Sequence, residues 1–137
     1  MAEILRIDTH EEEECIDITH RVSEVVNRSR VARGLCHVMV LHATAAVIVN
    51  ENDDPNIGVD LLAALDKTIP KHAGWLHDRV DNNAHAHIKA ALLGPSELIP
   101  IENGELLLGT WQGIMLVELN GPRPRRKIAV QILPTGG

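Results

Sequence analysis

The chain has 137 residues, of which 45% are hydrophobic, and a formal net charge of −6 at neutral pH. No apolar run approaches the ~18 residues of a membrane span, and an acidic chain lacks the basic surface of a general nucleic-acid binder. The sequence therefore predicts a single globular domain, residues 1–137, without a membrane or nucleic-acid partner. The amino terminus does not resemble a signal peptide, so we expect a cytoplasmic location.

In the amino-terminal half, the residue pattern alternates between strand and helix. Alternating or β-branched runs predict strands, and apolar residues three and four apart predict helices. The first helix has Val22, Val25 and Val26 on one face, and Pro55 is well placed to begin the second. In chain order, the predicted elements are strands 2–8 and 14–17, a helix from Thr19 to before Gly34, strands 35–41 and 45–50, and a helix from Pro55 to Ile69.

The carboxy-terminal half begins with residues 70–83, which have no periodicity and are expected to form a loop. Asn83 can cap a short helix that ends at Gly94, and Asn103 with Gly104 predicts a hairpin turn. The remaining predicted strands span residues 98–101, 105–108, 114–119 and 128–133. Strands interleaved with about three helices, without regular βαβ alternation, predict a compact α+β domain built mainly on antiparallel β-sheet.

Histidine is the most informative residue type in the chain. Four of the eight histidines lie between positions 72 and 87, and the last two begin the run His85, Ala86, His87. Such a cluster can form a metal centre, an acid–base site or an anion clamp, although single histidines are more often surface or core residues. Residues two apart on a helix diverge by about 200°, so His85 and His87 are not expected to hold one ion together.

Acidic residues near the histidines offer further chemistry. Glu51, Asp54 and Asp60 are candidate carboxylates for Mg²⁺ binding or proton transfer, although helix capping and the helix dipole select the same residues. Lys89 is a candidate phosphate ligand at the start of the third helix, and a solvated charge is the alternative.

A basic segment, residues 121–127, contains four of the thirteen lysines and arginines of this acidic chain. Arginine forks match phosphate oxygens, so the segment is a candidate anion site, and a hairpin tip that balances neighbouring acids is the alternative. Glu118 ends an apolar strand, and we expect it to pair with one of these arginines or to face the site.

Several stretches resemble one known family over nearly the whole chain. They are the run His42 to Ala45 and the sequences AAVIVNENDDP, AHIKAALLGPS, IPIENGELLLGTWQGIMLVEL and GPRPRRK. The pattern is similar to that of the YjbQ-like family, also known as secondary thiamine-phosphate synthases. The resemblance implies a compact α+β fold, a homotrimer and a polar site rich in histidine. The implied reaction joins a hydroxymethylpyrimidine pyrophosphate to a thiazole phosphate and releases pyrophosphate.

The resemblance also implies roles for individual residues. His42, His77 and His87 are expected to bind a divalent metal, with Zn²⁺ preferred to Mg²⁺ because Mg²⁺ favours oxygen ligands. His87 is also expected to be catalytic, together with Glu51 and Asp60. The expected substrate-binding residues are Asn52, Lys89, Thr110, Gln112, Arg123 and Arg125.

The leading hypothesis is therefore a phosphate-handling enzyme that acts on a small phosphorylated molecule. Arg123, Arg125 and Lys89 would hold phosphate, and the histidines would bind a metal or polarise the substrate. The alternatives are a trimeric protein that binds a metal or small ligand without turnover, and a metal-dependent hydrolase.

Overall fold

The computed structural model describes residues 2–136, which form eight strands and four helices. The α+β fold class predicted from the sequence is confirmed. The elements are β1 (Glu3–Ile7), β2 (Glu14–Asp17), α1 (Thr19–Ser29), β3 (Gly34–Val40), β4 (Ala45–Glu51), α2 (Pro55–Thr68), α3 (Asp78–Asp81), α4 (Ala84–Leu93), β5 (Ser96–Glu102), β6 (Glu105–Leu106), β7 (Gln112–Glu118) and β8 (Arg126–Pro134).

The strands form two antiparallel sheets. The larger sheet has the order β1-β8-β3-β5-β6, and the smaller has the order β2-β7-β4. Every strand pair is antiparallel, as the absence of βαβ alternation predicts. None of the helices in residues 2–136 is long and apolar enough to cross a membrane.

The smaller sheet lies in the middle of the molecule and is covered on both faces. One face packs against the larger sheet and α1 through an aliphatic core that includes Val38, Leu116 and Ile128. Its other face packs against α4 through a second cluster that includes Ala86 and Val117, with leucines of α2 at its edge. The domain is therefore layered as large sheet, small sheet and helices.

Side-chain hydrogen bonds mark the boundaries of several elements. Asp17 Oδ1 accepts from the backbone N–H of Thr19 at 2.9 Å, and Asp54 Oδ1 accepts from that of Asn56 at 2.9 Å. Asp54 is therefore the cap of α2, the structural alternative given for it above. At the predicted hairpin, Asn103 and Gly104 have φ values of 52° and 77°, which suit a two-residue turn between β5 and β6.

One predicted loop contains a helix. Within residues 70–83, α3 forms a single short turn that ends at Asn82, whose φ is 55°. Four residues are too few to show an amphipathic period, so the sequence pattern gave no sign of this helix. It brings His77 close to the start of α4.

The central position of the small sheet predicts where truncation destabilises the domain most. Leu116 of β7 is 0% exposed, whereas Leu133 of β8 is 58% exposed. We expect Leu116→Ala to lower the free energy of unfolding by about 3 kcal/mol and Leu133→Ala by less than about 1 kcal/mol. Urea denaturation of both variants measures the difference, and equal losses would contradict the layered core.

Candidate functional site

A cavity of about 490 Å³ lies where the β3–β4 turn, the start of α4 and the β7–β8 connection meet. The sequence predicted three of its lining residues, His42, His87 and Arg123, as site residues. They come from elements far apart in the chain, and the fold brings them around one space. The other lining residues are Ala43, Thr44, Asp81, Asn83, Asn120, Pro124 and Arg126.

His42 follows the end of β3 and is half-buried. Its Nε2 accepts a hydrogen bond of 2.8 Å from the backbone N–H of Lys127, so in the neutral ring the proton lies on Nδ1. Burial lowers the pKa of His42, and the nearby Arg126 guanidinium lowers it further. His42 is therefore a neutral imidazole whose Nδ1 is left for a ligand.

His87 lies in the first turn of α4 and contacts His77. Their ring centroids are 4.8 Å apart, and the rings meet edge to face at 84°. His77 is exposed at the start of α3, so α3 positions it against the ring of His87. The structure thus brings together two of the three histidines predicted as metal ligands, and it places the third, His42, on the lining of the same cavity.

Asn83 precedes α4, where the sequence suggests a helix cap. The cap bond is made by another residue, because the Ala84 backbone N–H donates to Asp78 Oδ1 at 3.0 Å. Asn83 Oδ1 is buried and has no hydrogen-bond partner among the described residues. An unpaired buried oxygen is unfavourable, so at the edge of this cavity it is a ready acceptor for a ligand hydroxyl or amine.

Beneath the cavity lies a buried ion pair between Glu118 and Arg126, which are 0% and 4% exposed. Glu118 Oε1 accepts from Arg126 Nε at 2.8 Å and from the Thr9 hydroxyl at 2.7 Å. Arg126 Nη2 also donates to the Thr44 hydroxyl at 3.0 Å. The expectation that Glu118 pairs with an arginine of the basic segment is confirmed.

Hydrogen bonds to the Glu118 carboxylate keep it ionised. Burial alone would raise the pKa of Glu118, but the bonds from Arg126, the Asn120 backbone N–H and Thr9 outweigh burial and hold the pKa below its ordinary value. Arg126 was not among the site residues predicted from the sequence. The available signal in the sequence was Glu118, a carboxylate at the end of an apolar strand. A buried carboxylate needs a cationic partner, and the basic segment contains Arg126.

Arg123 and Arg125 are both exposed, but only Arg123 lines the cavity. Arg123 Nε donates to the Asn120 carbonyl at 3.0 Å, which orients the guanidinium and leaves its two terminal nitrogens for a ligand. Arg125 has a φ of 52°, and its backbone N–H donates to Asp8 Oδ1 at 2.8 Å. The structure therefore separates the two arginines, which were predicted to bind phosphate together.

Lys89 lies away from the cavity that His42 and His87 line, which we call the histidine cavity. It is 1% exposed, and its Nζ pairs with Glu13 at 2.7 Å and with Asp66. Because residues four apart share a helix face, Lys89 lies on the side of His85, away from His87. Lys89 was predicted to be either a phosphate ligand or a solvated charge. The structure shows neither, because Lys89 is buried in ion pairs and does not line a cavity with His87.

The other predicted residues lie outside the cavity that His42 and His87 line. Glu51 and Asn52 line a separate cavity of about 310 Å³. Asn52 packs across Gly113, where an added Cβ would lie only 1.9 Å from Asn52 Nδ2. Asp60 is exposed on α2, and Thr110 and Gln112 are exposed in and after the adjoining β6–β7 loop.

The described residues do not by themselves assemble the predicted metal site. Within residues 2–136, no three His, Cys, Asp or Glu side chains are grouped so that they could hold an ion. The side-chain types around the cavity suit zinc, but the Nε2 of His42 is engaged with Lys127 and its Nδ1 carries the proton, and His77 contacts His87 through its ring. The metal and its three histidine ligands stay a prediction.

Comparisons with known proteins agree on one family. The family model described as UPF0047 protein YjbQ-like matches residues 3–135. A UPF0047 protein of Methanocaldococcus jannaschii is 41% identical over 128 residues, which cover 93% of this chain and 91% of that protein. The Bacillus subtilis UPF0047 protein YugU is 37% identical, with 91% and 94% covered.

Solved structures give the same result. A YbjQ-like protein of unknown function from Sulfolobus solfataricus superposes with a TM-score of 0.95 at 37% identity, covering 98% of this chain and 97% of that one. A YjbQ/UPF0047 family protein from Clostridium acetobutylicum gives a TM-score of 0.92 at 45% identity, covering 96% and 99%. The fold described above is therefore the fold of these structures.

The buried ion pair predicts a distinctive dependence of stability on pH. We expect Glu118→Gln to lower the free energy of unfolding by about 3 kcal/mol at neutral pH, because it leaves the Arg126 charge buried and unpaired. The folded-state pKa of Glu118 lies below the unfolded-state value of 4.5, so the contribution of the carboxylate is complete above that value. It is lost as the pH falls through the lowered folded-state pKa.

Denaturation of the wild type and the variant across the acid range measures this dependence. The difference in unfolding free energy between the wild type and Glu118→Gln should be constant above about pH 5 and should narrow on further acidification. Glu105→Gln, which changes an exposed carboxylate of β6, is the matched control and should show no such gap. A gap of constant size down to strongly acidic pH would show that the Glu118 charge is not responsible.

Proposed function

The chain belongs to the YjbQ-like UPF0047 family, and on that premise we propose that the cavity around His42, His87 and Arg123 binds the phosphate group of a small molecule. The observation that carries the proposal is the orientation of Arg123. Its Nε donates a hydrogen bond to the Asn120 carbonyl, so its two terminal nitrogens remain as the planar fork that matches phosphate oxygens.

Neighbouring groups add to this proposed phosphate site. The Nδ1–H of the neutral His42 is a further donor, and Arg126 can offer only its second terminal nitrogen, since Nε and Nη2 bond Glu118 and Thr44. Asn83 Oδ1 is an acceptor for a donor group on the rest of the molecule. The cavity volume of about 490 Å³ suits a small phosphorylated compound.

The reaction we propose is of the thiamine-phosphate synthase type. A bond forms between the ring nitrogen of a thiazole phosphate and the methylene carbon of a hydroxymethylpyrimidine pyrophosphate. The bond between that carbon and the pyrophosphate oxygen breaks, and pyrophosphate leaves with the electron pair. Arg123, the neutral imidazole of His42 and the ring of His87 would stabilise the charge that develops on the leaving oxygens.

A divalent metal and a trimer are further parts of the proposal. Zn²⁺ is the ion that His42, His77 and His87 would favour, and Mg²⁺ is the alternative; either would help to neutralise the leaving pyrophosphate. To bind the ion, His42 would have to release the Lys127 N–H and move its proton from Nδ1 to Nε2. The exposed apolar side chains of Leu76 and Val80, each 74% exposed beside His77, support contact with further copies of the chain. In a homotrimer, such contacts would enclose the cavity.

A binding protein without turnover is the second candidate function. One observation favours it: the expected catalytic carboxylates, Glu51 and Asp60, do not line the histidine cavity. Asp81 is the one carboxylate among the cavity-lining residues of the described chain. A cavity that presents donors to an anion without these carboxylates suits a protein that binds its ligand and does not turn it over.

Pyrophosphate binding tests the proposed phosphate site. We expect Arg123→Ala to weaken pyrophosphate binding by about tenfold in titration calorimetry, because one bidentate contact is lost. Arg33→Ala is the matched control, since Arg33 is exposed at the opposite end of β3 and pairs with Glu102. Equal affinities in Arg123→Ala and the wild type would rule out the site.

Turnover separates the two candidate functions. The assay measures thiamine phosphate formation from the two precursors, with and without added Zn²⁺ or Mg²⁺, using protein whose assembly state is checked by sedimentation. We expect product above a no-enzyme control, with at least about a tenfold lower rate in His87→Ala and no change in His20→Ala, an exposed histidine of α1. Pyrophosphate binding without any product would leave the binding protein as the function.

A further inference from the structure

A second polar cavity lies on the other side of α4 from His87. Its volume is about 430 Å³, and it is bounded by the segment before β2, by α2 and α4, and by the loop after α2. The lining residues are Glu11, Glu12, Glu13, Asp66, Lys71 and His85. None of them lines the histidine cavity described above, so the two cavities are separate.

The charges around this second cavity do not balance. Lys71 Nζ pairs with Glu12 at 2.7 Å, and Lys89 Nζ pairs with Glu13 at 2.7 Å and with Asp66. Four carboxylates therefore face two ammonium groups. Ion pairing thus leaves an excess of negative charge beside the cavity, which repels anions and attracts cations.

His85 provides an independent indication of a ligand. Its side chain is 3% exposed and lines the cavity, yet its Nδ1 is buried without a hydrogen-bond partner among the described residues. An unpaired buried nitrogen is unfavourable, so a partner for it is expected. Burial lowers the pKa of His85, so the ring is neutral, and in the tautomer with its proton on Nε2 the Nδ1 is an acceptor. Among acidic walls, the partner of that acceptor is a hydrogen-bond donor that carries positive charge.

We propose that this cavity binds a small aliphatic diamine, one ammonium group of which donates to His85 Nδ1 while the acidic wall balances its charge. The size of the cavity favours an organic cation over a metal ion. The cavity volume lies in the range of small-molecule pockets and far exceeds the space that one ion needs.

Titration calorimetry of the full-length protein with 1,4-diaminobutane tests this proposal. We expect saturable binding by the wild type and at least about tenfold weaker binding by His85→Leu, which removes the acceptor. His85→Asn should bind within about threefold of the wild type, because the amide oxygen of asparagine can lie near the position of Nδ1. The uncharged analogue 1,4-butanediol should not bind.

A surface variant keeps the test decisive if the buried substitutions impair folding. Glu11 is exposed at the cavity edge, and Glu11→Gln should weaken diamine binding about threefold through the loss of one charge. Glu105→Gln, on the remote strand β6, should leave it unchanged. Equal affinities in these two variants would contradict a role for the acidic wall.

Other outcomes would also overturn the proposal. They are the absence of diamine binding by the wild type, binding that His85→Leu does not change, and Zn²⁺ binding that requires His85 without diamine binding. Arg123→Ala should bind the diamine as the wild type does, because Arg123 lines the other cavity. The failure of this proposal is therefore distinguishable from failure of the proposed phosphate site.

Discussion

The buried pair of Glu118 and Arg126 joins parts of the chain that no single sheet connects. Glu118 ends β7 in the small sheet, Arg126 begins β8 in the large sheet, and Thr44 and Thr9 extend the network to the β3–β4 turn and the amino-terminal segment. A buried charge without its partner is costly, so these segments are held in one arrangement. The position of the histidine cavity above this network depends on that arrangement.

The close packing around this pair extends to the backbone. A Cβ on Gly121 would lie 2.1 Å from the Glu11 carbonyl oxygen and 2.8 Å from Glu118 Cγ, so a larger residue cannot occupy this position without a shift. The chain turns here from β7 towards the basic segment. The backbone path from β7 to Arg123 is therefore restricted by the contacts of Gly121, although the Arg123 side chain is exposed.

Aliphatic alternation, helical spacing, Pro55 and the Asn103–Gly104 turn made most of the fold predictable, because each acts through neighbours in sequence. The site was less predictable, because its geometry depends on tertiary packing. Helical spacing correctly separated His85 from His87, but it could not reveal that Lys89 is paired inside the domain with acids from two other elements. The role of Arg126 likewise depends on a strand register that no local pattern encodes.

Helix α4 places its chemistry on more than one face. Ala86 and Ala90 pack against the small sheet, His85 lines the second cavity, and His87 lines the histidine cavity. Lys89 pairs with two carboxylates of the second cavity. One residue inserted into an α-helix rotates everything beyond it by about 100°. A single insertion before His85 would thus turn both imidazoles away from their cavities while leaving the composition and helix propensity of α4 almost unchanged. In this segment, the length of the chain is constrained as strictly as the identity of its residues.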